Sequence, residues 1–152
     1  MLSRTHIAFA VMFILLFFNS VHSKFIFVVV VLFSSLLPDL DSMHSKLGNR
    51  WFLRPLQWFV KHRGMLHSLT FSVIIALLLD FFLPVLAFPF FLGYASHILL
   101  DSFTIEGIRP FWPLKAEVKG WLKTDGTSEK LTFVVLVIVN VLLLAYIFKV
   151  YS

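Results

Sequence analysis

The sequence predicts an all-α fold, an integral membrane helical bundle of about five hydrophobic helices: two short hairpins followed by a C-terminal anchor. Three observations predict it. Of 152 residues, 59% are hydrophobic and 19 are Phe, whereas soluble domains are roughly 45–50% apolar. The apolar residues gather into five runs separated by polar turns. Most of the charge sits in two loops, residues 42–63 and 102–130. The chain reads as a single membrane-embedded domain, 1–152.

The first helix is expected over residues 5–18. Residues 1–18 have one Arg and an apolar run, in the manner of a signal peptide. Residues 19–23 lack a clear small-x-small cleavage site, so the segment is read as a retained helix. The second helix, 25–37, stops at Pro38, because the residue before a proline disfavours helical backbone. Residues 42–63 are basic and aromatic, with Trp51, Phe52, Trp58 and Phe59, which suits a stretch lying at headgroup level. The third helix is expected over 67–79, with Asp80 in a turn. The fourth covers 83–101, with Pro89 as a bend. A polar loop, 114–130, leads to the C-terminal helix at 131–148. At 1.5 Å rise, ~13 residues reach about 20 Å against a hydrocarbon core of roughly 30 Å. The first three helices are therefore short, and only the last has a comfortable spanning length.

Helix order decides which ends meet. The start of an odd helix and the end of an even one lie on the same membrane side. His6 is at the start of the first helix, Asp39 and Asp41 follow the second, His62 and His67 precede the third, and His97 and Asp101 end the fourth. All seven converge on one face. Of the 13 Lys and Arg, all but Lys24 and Lys149 fall on that same side, which the positive-inside rule makes cytoplasmic.

Taken singly, each residue has an ordinary reading. His97 and Asp101, four apart on one helical face, could be a hydrogen-bonded pair between helices. Asp39 and Asp41 could stop a helix. His62 and His67, five apart, turn away from each other on a helix, so His62 suits a loop and His67 the opening of the third helix. His6 could be a surface histidine. His22 and His44 read as solvated. Taken together, the seven exceed what one ion needs. With no cysteine in the chain, any metal is held by nitrogen and oxygen. Two or three divalent ions would fit, zinc first and manganese or magnesium as alternatives. Such ions clamp the oxygens of a phosphoester in displacement. Asp39 or Asp41 would bridge ions or act as general base, and Arg63 would hold phosphate oxygens.

The residues resemble the YdjM-type family of membrane-bound metal-dependent hydrolases. The resemblance is carried by Thr5-His6, by Leu37-Pro38-Asp39-Leu40-Asp41-Ser42, and by His62-Arg63 with His67-Ser68-Leu69. It continues in Gly93, Ser96-His97-Ile98-Leu99-Leu100-Asp101, Thr104, Gly107 and Pro110-Phe111. It spans about the first three quarters of the chain, residues 1–113. Leu66 departs from the pattern, which has Thr before the second His. More remotely, the family is similar to the helical zinc phospholipase C and P1 nuclease group. The resemblance implies hydrolysis of a phosphoester, such as a phospholipid, at the inner membrane. Membrane lipids are the expected partners, and nucleic acid is not expected as the primary one. The runner-up is a non-catalytic metal-binding transport or regulatory membrane protein, and a third reading is a structural protein whose polar residues pair helices. Transporters place ligands near the bilayer midplane on broken helices, whereas these residues sit at helix ends.

Overall fold

A computed structural model describes residues 1–41, 49, 51, 54, 58 and 64–151. The α-helices whose bounds fall among the described residues are α1 (Ser3–Phe17), α2 (Lys24–Ser34), α3 (Leu69–Phe82), α4 (Pro84–Ser102) and α5 (Thr127–Tyr151). Short 3-10 turns, Leu37–Asp41 and Met65–His67, lie after α2 and before α3. Among the described residues there is no strand, only isolated bridges pairing Thr104 with Leu122 and Ile108 with Val118. The expected all-α membrane bundle is what the chain forms.

α4 is the central helix, with α1, α2 and α3 packed around it, while α5 lies against α1. Among the described residues two helices are long and apolar enough to cross a membrane: α4, with 19 residues, and Thr127–Val150, with 24. α4 thus joins α5 in spanning length. Over its apolar stretch α4 is 56% buried and α5 only 6%, so α4 faces protein and α5 faces outward.

One apolar cluster joins α1 to α2 through Ala10, Ile14, Phe27 and Val31. A second sets Phe90, Tyr94 and Ile98 of α4 against Ile108, with Leu69, Phe71 and Ile75 of α3 packed on it. Gly93 lets α2 approach α4 closely: a Cβ at this position would collide with Ser34 Oγ and the Val31 carbonyl. Ser34 lies in that contact, its hydroxyl donating to the carbonyls of Val31 and Pro89 at 3.3 and 3.4 Å.

Some boundaries differ from those expected. His67 lies in the turn before α3 instead of opening it, because Ser68 is the N-cap and its Oγ accepts the Phe71 N–H at 3.1 Å. Asp80 lies within α3, not in a turn. α5 begins at Thr127, ahead of residue 131, because Glu129 caps the first turn by accepting the Asp125 N–H at 2.5 Å. Most of the basic aromatic stretch 42–63 lies outside the described residues; Trp51 and Trp58 within it are exposed.

Candidate metal centre

Each candidate residue reaches the site for a local reason. His97 and Asp101 share one face of α4 near its C-terminal end. α2 ends at Ser34, and the following 3-10 turn buries Asp39 and Asp41. The turn carrying His67 is held from α4, where Tyr94 Oη donates to the Leu66 carbonyl at 2.5 Å. Ser68 Oγ donates to the Met65 carbonyl at 2.7 Å. The Leu69 N–H donates to the Pro110 carbonyl at 2.8 Å, tying the start of α3 to the loop after α4. His6 comes from the first turns of α1 and is buried.

The structure brings together His6, Asp39, Asp41, His67, His97 and Asp101, all of them buried. His62 and Arg63 lie outside the described residues. His22 is exposed, as expected of a solvated residue.

Asp101 is the hub of the cluster. Its Oδ1 lies 3.4 Å from His6 Nε2, and its Oδ2 lies 3.7 Å from both His67 Nε2 and His97 Nε2. The Met1 amino nitrogen donates to the same Oδ1 at 2.7 Å. Asp39 Oδ1 is 3.8 Å from His97 Nε2. The rings of His6 and His97 stack, with centroids 3.7 Å apart. Two sets of three residues have ligand atoms within 4.8 Å of one another: His6, His97 and Asp101, and Asp39, His67 and His97.

Two of the histidines are oriented from behind. His97 Nδ1 lies 2.7 Å from the Ser35 carbonyl oxygen, which can only accept, so the proton is on Nδ1 and the Nε2 lone pair faces the carboxylates. His67 Nδ1 lies 3.0 Å from Asp41 Oδ2, which turns His67 Nε2 toward Asp101. Metal-binding histidines are held in this way, one nitrogen on an oxygen acceptor and the other on the ion.

The donor set fits a metal ion. His6 Nδ1 and Nε2 and His97 Nε2 are buried and make no hydrogen bond among the described residues. Buried polar atoms are nearly always satisfied, and leaving one unsatisfied costs roughly 1–3 kcal/mol. A cation beside Asp101 would satisfy the ring nitrogens and offset the charge of the carboxylates. Both sets include His97, whose single open nitrogen cannot lie on two ions at once. The six described residues thus divide naturally into a set around His67 and His97 and a smaller one at His6, with Asp101 between them.

Asp39 differs from the other carboxylates. Its side chain is 11% exposed, against 0% for Asp41 and 2% for Asp101. Burial pushes its carboxyl pKa above the ordinary value, against the lowering influence of His6.

A cavity of about 410 Å³ is lined almost wholly by apolar groups. Its walls include Leu69, two residues from His67, and Ser96 and Ile98, the sequence neighbours of His97.

Sequence reasoning missed Glu129, which is fully buried at the start of α5. Its Oε1 accepts from the Leu2 N–H at 2.6 Å and from Thr5 Oγ1 at 3.0 Å. An acidic residue in the polar turn before the last apolar run was the available signal.

Fold and site define a class: small helical membrane proteins with a buried His–Asp cluster that could hold a metal ion. The chain belongs to the YdjM inner membrane protein family, whose model matches residues 1–152. It is 40% identical to the inner membrane protein YdjM of Escherichia coli K12 over 91 residues, 53% of this chain and 45% of that protein. The Shigella flexneri protein of the same name matches to the same extent. An uncharacterized protein, YvsG of Bacillus subtilis, is 28% identical over 103 residues, 64% of each chain. The chain thus spans about half the length of the first two curated relatives it matches. No solved structure matches it.

Proposed function

We propose that the protein is a membrane-bound metal-dependent hydrolase acting on a phosphoester, with a phospholipid as the favoured substrate, at the cytoplasmic face. The observation that carries the reading is the convergence of His6, His67 and His97 on Asp101, with His6 Nδ1 and Nε2 and His97 Nε2 buried and making no hydrogen bond among the described residues. Structural ion pairs are normally satisfied, whereas ligands awaiting an ion are not.

In this reading His67, His97, Asp39 and Asp101 would hold one ion, and His6 with Asp101 would hold a second in place of the Met1 ammonium on Asp101 Oδ1. Zinc suits the mixed nitrogen and oxygen donors. Asp41 stands behind His67 and orients it, in place of the direct ligand role the sequence suggested. An ion held there would supply Lewis-acid stabilisation of charge building on the phosphoester oxygens. Asp39, the carboxylate with most access to water, exchanges a proton with water entering the site. His97 keeps its proton on Nδ1 through the Ser35 carbonyl, so its other nitrogen stays available as a ligand. Arg63 clamps phosphate oxygens. The apolar cavity is lined by sequence neighbours of His67 and His97 and by none of the six site residues; its 410 Å³ is within the usual range of small-ligand sites and its walls suit an acyl chain beside the centre.

The test is a phosphatase and phospholipase screen of the purified protein with and without chelator. Chelator-sensitive hydrolysis restored by zinc is the expected result. A protein that binds metal yet hydrolyses no phosphoester would leave the transport or regulatory reading in its place.

A further inference from the structure

α5 is the most outward-facing helix of the bundle, yet its first turn carries a fully buried carboxylate, Glu129. Burying a carboxylate is costly unless it is hydrogen-bonded. Glu129 accepts three hydrogen bonds, two of them from α1. Leu2, the N-cap residue of α1, donates its N–H at 2.6 Å, and Thr5, which precedes His6, donates its hydroxyl at 3.0 Å. The His6 N–H in turn donates to the Leu2 carbonyl at 3.4 Å. Further along the helix α5 docks on α1 through packing and through Asn140, whose Nδ2 donates to the Ala8 carbonyl at 2.8 Å. Capping of α5 needs only the third bond, from the Asp125 N–H. The bonds to Leu2 and Thr5 are additional to both and fall on the turn that leads into His6.

We propose that Glu129 is a positioning residue for the metal centre. It fixes the first turn of α1 so that His6 stacks on His97 and presents Nε2 to Asp101. The C-terminal helix therefore belongs to the functional core, and acts on the site through Thr5 and Leu2. This inference rests on the metal-centre reading above.

The test measures zinc affinity and the visible absorption of the cobalt(II) form, using the full chain in detergent. The proteins compared are wild type, Glu129→Ala, Thr5→Val and Thr5→Ser. Glu129→Ala and Thr5→Val are expected to weaken zinc binding about ten- to hundred-fold. Both should shift the cobalt bands while keeping wild-type helical content and elution in the metal-free state. Thr5→Ser, which retains the hydroxyl, should behave as wild type. Should Glu129→Ala fail to fold, the two Thr5 variants decide. A wild-type protein that binds neither zinc nor cobalt would remove the metal-centre reading, and this inference with it. A metal-binding wild type whose folded Glu129→Ala and Thr5→Val forms show unchanged affinity and spectrum would overturn this inference alone.

Discussion

The imidazole rings of His6 and His97 stack with 3.7 Å between centroids and 5° between planes, although the two residues come from different helices. Both stacked rings bring an Nε2 atom to the same carboxylate, Asp101. The stack depends on α1 being held at the correct height against α4, and each prediction below concerns one support of this arrangement.

Asp41 acts on the site through His67, whose Nδ1 is 3.0 Å away. Asp41→Asn should weaken zinc binding about ten- to hundred-fold, the usual effect of losing an orienting carboxylate. Ion stoichiometry at saturating zinc should not change. Isothermal titration of the metal-free protein checks both. A fall in stoichiometry would make Asp41 a direct ligand.

Asp39 should trade stability for function. Burial raises its carboxyl pKa in the folded protein. The stabilisation from a raised carboxyl is fully present below the unfolded value and is lost as pH rises through the folded one. At neutral pH, above the unfolded value, the buried Asp39 carboxyl is therefore a liability in the metal-free protein. Asp39→Asn should raise the metal-free thermal midpoint at pH 7, with the advantage shrinking as pH falls toward the unfolded carboxylate value. The same variant should bind zinc more weakly. Thermal melts in chelator over a pH series test the first expectation, and a lower midpoint at pH 7 would refute it.

Gly93 sets the distance between α2 and α4, because a Cβ there would collide with Ser34 Oγ and the Val31 carbonyl. Gly93→Val should cost about 1–3 kcal/mol by overpacking. Moving α2 also shifts the turn that carries Asp39 and Asp41. Metal affinity should therefore fall along with the thermal midpoint in detergent. A variant as stable as wild type would show that the two helices are not in such close contact.

Much of the site was legible in the sequence, because it needed only helix order and residue type. The parity of helix ends placed His6, Asp39, His67 and His97 on one side, and the four-residue offset placed His97 with Asp101. What the helix ends could not reveal was which atoms meet. The pairing of Asp41 with His67 crosses 26 positions, and no periodicity links them. The Ser35 carbonyl is a backbone group at the end of α2, so residue type carries no trace of its contact with His97. Glu129 was missed because the last helix was placed at the start of its apolar run, which excluded a polar first turn. The fourth helix, expected over 83–101 with Pro89 inside it, is α4, which runs through that residue from Pro84 to Ser102.

The central claim is that the cluster around Asp101 holds metal through His97. Elemental analysis of the purified full chain, wild type beside His97→Ala, tests it most directly. The account predicts zinc bound in stoichiometric amount by wild type, and a large loss in a His97→Ala protein that retains its helical content. Metal absent from wild type, or equal in the two proteins, would contradict it.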